Sequence, residues 1–188
     1  HITLKSAARA DMAAWLEFLV GLNGKTMFLD ETWLSSPVIH LYTDSAASKG
    51  WGAVLGSRWM GGAFPSHWHD LNITFLELVP IVVAISVWGC LLKNHCIIFH
   101  TDNEALVAII NKQTSRDPTV MVGVRKLVVA CLQHNIKFKS KHVPGLENQL
   151  SDAISRFQFQ RFRALAPHCQ QSATAVPVHL QPENLFKL

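Results

Sequence analysis

Thiol chemistry has little to work with in this chain. Its four cysteines, Cys90, Cys96, Cys131 and Cys169, form no CxxC pair, so the spacing of a thiolate zinc site is absent. Three of them sit in apolar runs, where cysteine usually serves as a small core residue. No signal-peptide pattern and no disulfide framework are present, which makes a reducing location, cytoplasm or nucleus, the expectation. Long hydrophobic runs are missing too. The longest, Leu78 to Leu92, spans 15 residues and contains Pro80, short of the roughly 20 needed to cross a bilayer, so it reads as a buried helix and no membrane partner is expected. Charge is scarce at 16%, against 49% hydrophobic residues, and that balance excludes a disordered chain. There is no internal repeat. The sequence opens on His1 in place of Met, from which a fragment or processed piece of something longer is expected.

The 188 residues suffice for one well-filled core, and the net charge of +4 suits a polyanionic partner without pointing to one. Residues 6–22 read as a helix stopped by Asn23-Gly24, followed by a linker with Ser35, Ser36 and Pro37. Val38 to Thr43 is a β-rich run ending at Asp44. Residues 50–55 and 58–64 are two more strands across a Gly56-Ser57 turn, which predicts an antiparallel meander. Thr74 to Leu92 reads as a long helix, and Cys96 to Thr101 as a strand in the sheet interior. Helices follow at 103–112 and 118–134, then a half-exposed strand at 136–143 and a helix at 148–157. The expected fold class is α/β, a mixed five-stranded sheet (three antiparallel strands, then two more) flanked by helices. Residues 158–188 contain Pro167, Pro177 and Pro182 and read as a tail or linker. The expected organisation is therefore 1–36 as N-terminal helix and linker, 37–157 as the domain, and 158–188 as the tail.

Four acids fall where side chains converge: Asp44 and Asp102 at strand ends, Glu77 in the first turn of the long helix, and Asp152 on the last helix. Two divalent cations about 3.5–4 Å apart can clamp the attacking and leaving oxygens of a phosphodiester displacement. Mg²⁺ prefers a few carboxylates, water and phosphate as ligands. Without metal, four gathered acids would repel one another. The plainer readings are local: an Asp after a strand is most often a cap or turn former, and Thr74-x-x-Glu77 fits a capping box.

The pieces Tyr42-Thr43-Asp44-Ser45, Gly50-Trp51-Gly52-Ala53, Leu76-Glu77-Leu78 and His100-Thr101-Asp102-Asn103 form one ordered set. The set closes with His142-Val143-Pro144-Gly145, Asn148 and Ser151-Asp152-Ala153-Ile154-Ser155-Arg156. Together they resemble the ribonuclease H family over about Val38 to Phe157. In detail they are most similar to the ribonuclease H domains of tyrosine-recombinase retrotransposons of the DIRS and Ngaro type, where the domain follows a reverse transcriptase. The helix from Trp15 to Asn23-Gly24 resembles the connection to that polymerase. The resemblance implies a ribonuclease H-like fold and metal-dependent endonucleolytic cleavage of the RNA strand of RNA–DNA hybrids during reverse transcription. It implies two Mg²⁺ (or Mn²⁺) ions on Asp44, Glu77, Asp102 and Asp152, and a polymerase domain in the same polyprotein as partner. Relatives carry a mobile histidine on a loop after the fifth strand. Here that loop is only Gly145-Leu146-Glu147, and the nearest histidine, His142, falls within the strand, where a structural role is expected.

Recognition of RNA rests on 2′-hydroxyl contacts, for which Ser45, Asn103 and Asn148 are the candidates. Asn103 fits a helix cap equally well. Lys137, Lys139 and Lys141 on one strand face, with Arg116, Arg125, Lys126 and Arg156, can serve phosphates or simply be solvated. His67-Trp68-His69 lacks a third ligand and is expected to be structural, as are Trp51, Trp59 and Trp68. The Phe157 to Arg163 stretch is left between packing and nucleic-acid contact. Two other classes remain to be weighed. A catalytically inactive ribonuclease H-like scaffold or interaction module would tolerate loss of acids, and all four are present. An integrase-type core would carry no early-helix glutamate between its first two acids, whereas Glu77 lies between Asp44 and Asp102.

Overall fold

The computed structural model describes residues 3–21 and 39–186. The expected Asn23-Gly24 helix stop, the Ser35–Pro37 linker and the strand start at Val38 lie outside them. Five strands, β1 (His40–Ala46), β2 (Gly50–Leu55), β3 (Arg58–Ala63), β4 (Cys96–Thr101) and β5 (Lys137–His142), form one sheet in the order β3-β2-β1-β4-β5. The first three are an antiparallel meander, as predicted, while β4 and β5 join in parallel. Parallel pairing of β1 with β4 brings His40, Leu41 and Tyr42 level with Ile98, Phe99 and His100. The chain therefore leaves both strands at the same edge, carrying Asp44 and Asp102 together.

The helices are α1 (Ser6–Gly21), α2 (Ile73–Trp88), α3 (Glu104–Lys112), α4 (Pro118–Gln133), α5 (Gln149–Ser155), α6 (Phe159–Leu165) and α7 (Pro182–Leu185). α2 is apolar on all sides because it is enclosed on all sides: Phe75, Leu78, Val79, Val82 and Ile85 are buried among sheet residues Leu41, Ala53 and Phe99 and α4 residues Val124 and Leu127. Its start is fixed by a double cap. The Asn72 side chain accepts from the Thr74 N–H at 2.9 Å and donates to Asp117 Oδ2 at 2.7 Å. Asp117 in turn accepts from the N–H groups of Thr119 and Val120 to cap α4.

The opposite sheet face receives α5 and α6 over a second core of Val54, Trp59, Ala153, Ile154, Phe162, Ala166 and Cys169. Gly52 makes this possible. A Cβ there would lie 2.7 Å from the Ser151 carbonyl oxygen and 2.8 Å from Ile154 Cβ, so α5 rests directly on β2 backbone. The segment expected to be a tail is packed. Phe162 is buried in the second core and Phe186 in the first, edge-on to Phe75 at 5.2 Å between ring centroids. Its elements, seven and four residues long, are too short to leave a periodic signature. Trp51, Trp59 and Trp68 are all buried, as expected of packing residues.

Candidate active site

Asp44 belongs to the body of β1, where it pairs with Gly52, because the hairpin register continues to Ala46–Gly50. Strand alternation turns its side chain to the α5 face, two positions on from Tyr42. Glu77 enters from α2. With Asn72 as cap and Ile73 as first residue, it lies in the second turn of the helix, and the Thr74–Glu77 capping box is not formed. Asp102 directly follows β4 and is exposed. One carboxylate oxygen from each of Asp44, Glu77 and Asp102 lies within 4.8 Å of the others.

What aligns the first two acids is a proline. Pro80 has no N–H to give the Leu76 carbonyl one turn back. The Ser45 hydroxyl donates to that carbonyl instead, at 2.9 Å. One hydrogen bond thus joins the residue after Asp44 to the residue before Glu77. Ser45 is buried, and its hydroxyl proton is committed to this bond. Asn148 likewise has a bonded place in the fold. Fully buried, it donates to the Thr43 carbonyl at 2.9 Å and accepts from the Ser151 hydroxyl, tying α5 to β1. Asn103 caps α3 by accepting from the Leu106 N–H, which leaves its amide NH₂ as a donor beside Asp102.

The electrostatics follow from burial. Asp44 is 5% exposed, and desolvation pushes its carboxyl from 3.8 to about 6. The Ser155 hydroxyl, donating to Asp44 Oδ2, and the Arg156 charge oppose that push, and the charges of Asp102 and Asp152 add to it. Glu77 is raised well above the usual glutamate range by burial and then by Asp44 and Asp102, against the Ser45 backbone N–H. Its Oε2 is buried, with no hydrogen-bond partner among the described residues. A buried carboxylate with one unpartnered oxygen, clustered with two more acids, is costly as it stands and suits a divalent cation, for which hard oxygen donors are the preferred ligands.

Asp152, the fourth expected ligand, is not within the 4.8 Å group. Its two oxygens accept from Arg156 Nε and Arg161 Nη1, each at 2.6 Å. Partial burial would raise its carboxyl, but the two arginines outweigh that and hold it below the ordinary aspartate range. Arg125 is paired with Asp11 at 2.7 Å and so is not a free phosphate contact. His142 lies at the exposed end of β5, in register with Thr101, and the Gly145 turn approaches Asp102. Sequence reasoning missed Ser155, although its place three residues after Asp152 on a short helix puts both on one face. It also missed a stacked group beside the acids. Tyr42 and His100 lie 4.4 Å apart between ring centroids, and His100 is 2.7 Å from His40. Burial, then the charges of His40 and Lys141, lower His100 to about 4, so the imidazole is neutral at physiological pH.

The sheet order and flanking helices define the ribonuclease H-like fold. Among solved structures, the N-terminal RNase H domain of Rv2228c from Mycobacterium tuberculosis, determined as a fusion with maltose-binding protein, superposes with a TM-score of 0.51. The match has 13% identity and covers 68% of this chain and 95% of that one. RNase H1 from the halophilic archaeon Halobacterium salinarum matches at 14% identity over 61% of this chain and 90% of its own, with a TM-score of 0.48. No protein-family model and no curated protein matches this chain. Among the described residues, no helix is long and apolar enough to cross a membrane.

Proposed function

We propose that this chain is a metal-dependent endonuclease that hydrolyses the RNA strand of RNA–DNA hybrids during retroelement reverse transcription. The observation that carries the reading is Glu77, whose Oε2 is buried without a partner among the described residues and whose carboxylate clusters with those of Asp44 and Asp102. Asp44 and Glu77 would hold Mg²⁺ or Mn²⁺ from the buried side and Asp102 from the open side. Asp152, on leaving its arginines, would complete a second site. Two such ions, when bound, supply activation of water and stabilisation of the departing 3′ oxygen. Water attacks phosphorus, the P–O3′ bond breaks, and the products carry 5′-phosphate and 3′-hydroxyl ends. Ser155 holds Asp44 in place, the Ser45–Leu76 bond sets the distance from β1 to α2, and Asn103 presents an amide donor beside Asp102. The pieces quoted from Tyr42 to Arg156 support the retroelement setting, with α1 as the link to a polymerase domain and an intracellular location.

A second reading, a catalytically inactive scaffold, draws on the neutralisation of Asp152 by Arg156 and Arg161. Incubation of the purified chain with a labelled RNA–DNA hybrid, with and without Mg²⁺ or Mn²⁺, separates the two. Cutting of RNA only within the hybrid, dependent on metal and lost in Asp102→Asn, is the expected result. Asp102 is exposed, so that substitution leaves the fold intact. Absence of cutting by the well-folded chain at high concentration would favour the scaffold.

A further inference from the structure

Beside the acids lies a surface that the cluster does not use. α5 ends at Ser155, and the chain turns through Arg156, Phe157 and Gln158 into α6. Phe157 adopts φ +58°, a left-handed conformation that is a genuine outlier for a bulky side chain. The turn nevertheless leaves Phe157 and Phe159 41% and 43% exposed, with their ring centroids 6.1 Å apart. Gly50 gives Phe157 a rigid seat, since a Cβ there would stand 2.7 Å from the Phe157 ring. Phe159 leans on buried Trp59 at 5.8 Å. Arg156, next to Phe157 in sequence, and Arg161, on α6 with Phe159, are 48% and 40% exposed, and both are gathered by Asp152. The patch thus pairs anchored, half-exposed aromatic rings with two cations for one anion. Its chemistry is that of a surface which tracks a phosphate backbone and stacks on ribose or base faces.

We infer that Arg156, Phe157, Phe159 and Arg161 form a nucleic-acid-binding patch continuous with the acid cluster, with Asp152 as the counter-ion of its arginines in the free protein. The inference rests on the proposed nuclease reading and extends it by naming residues that seat the strand beside the cleaved bond. A backbone phosphate reaching Arg156 and Arg161 replaces the Asp152 carboxylate and releases it towards Asp44 and Asp102. Strand binding and completion of the site are thereby one event. The left-handed turn at Phe157 leads the chain from Arg156, at the end of α5, into α6, which carries Phe159 and Arg161.

The test is equilibrium binding of a fluorescently labelled RNA–DNA hybrid to the full chain, by anisotropy over a range of salt concentrations, in EDTA and again in Ca²⁺. Phe157→Gly, which relieves the left-handed conformation, is expected to keep the melting temperature of the wild type while binding about tenfold more weakly. Arg161→Gln, at an exposed position, is expected to flatten the slope of log K against log salt by about 0.9, one phosphate contact. A purely structural role for these residues predicts the reverse, unchanged binding with lowered stability in Phe157→Gly. Wild-type binding or cleavage of the hybrid with both variants binding like wild type would overturn this inference and leave the nuclease reading standing. A wild-type chain that binds no hybrid under either condition would overturn both.

Discussion

Replacing Glu77 with glutamine should stabilise the metal-free protein, although it alters a buried residue in the middle of the fold. The three acids present oxygens within 4.8 Å of one another. Two unit charges at that distance repel by about 3.5 kcal/mol at an effective dielectric of about 20. Glu77 faces two such neighbours, Asp102 is exposed and screened, and protonation limits what a buried acid can cost. Removing the charge at Glu77 should therefore recover about 2–3 kcal/mol. Glutamine also fits the local hydrogen bonding. Its carbonyl oxygen can accept from the Ser45 N–H as the carboxylate does. For a chain of this length 1 kcal/mol moves Tm by about 2–4 °C, so the variant should melt about 5–10 °C above wild type in EDTA. Added Mg²⁺ or Mn²⁺ should raise the wild-type Tm, by about 2.7 kcal/mol of stability at a hundredfold excess over Kd, and leave Glu77→Gln unmoved. Thermal unfolding by circular dichroism reads both effects. A variant less stable than wild type in EDTA, or one that still responds to the cation, would refute the claim that Glu77 is a metal ligand held at a cost.

Ser45→Ala strands the buried Leu76 carbonyl and should lower stability by about 1–3 kcal/mol in chemical denaturation, with weaker Mg²⁺ stabilisation; Ser45→Thr, which retains the hydroxyl, should recover part of both. The Asp44 carboxyl, at about 6 folded against 3.8 unfolded, binds its proton more tightly in the native state. Its contribution to metal-free stability is therefore present below about pH 4 and lost as pH rises through about 6, about 3 kcal/mol in all, and denaturation at stepped pH should show Asp44→Asn lacking that loss. Gly52→Ala places a methyl against the Ser151 carbonyl and Ile154, so α5 must shift; a loss of about 1–3 kcal/mol together with weakened hybrid cleavage is expected.

Much of the fold was legible because each signal was local. The Gly56-Ser57 turn between the runs at 50–55 and 58–64 marks the hairpin, and the apolar run from Cys96 and the lysine alternation of β5 reflect which faces are buried. Errors arose where neighbours distant in sequence decided the outcome. Polar Asp44 reads as the end of an apolar run, but the hairpin with β2 carries pairing on to Ala46 opposite Gly50. Thr74 resembles a cap only while the link from Asn72 to Asp117, 45 residues on, is unseen. Ser45 and Asn148 have the right chemistry for RNA, and nothing local reveals that the first answers Pro80 and the second the β1 backbone. The acids themselves were recognisable by order and context. That Asp152 is held by arginines was not, since Arg161 reaches it from the next helix.

The hydrogen bond from Ser45 to Leu76 also bears on how the protein reaches its native state. A helix containing Pro80 has one carbonyl that its own backbone cannot satisfy, and water can satisfy it only while the helix is undocked. Burial of α2 is then tolerable only once β1 delivers its hydroxyl across 31 positions of sequence. Strand and helix are thereby bound into one cooperative step, and a partly folded chain has little reason to bring Asp44 and Glu77 together. The mutual repulsion of the acids thus arises in the same step as the hydrophobic contacts that outweigh it.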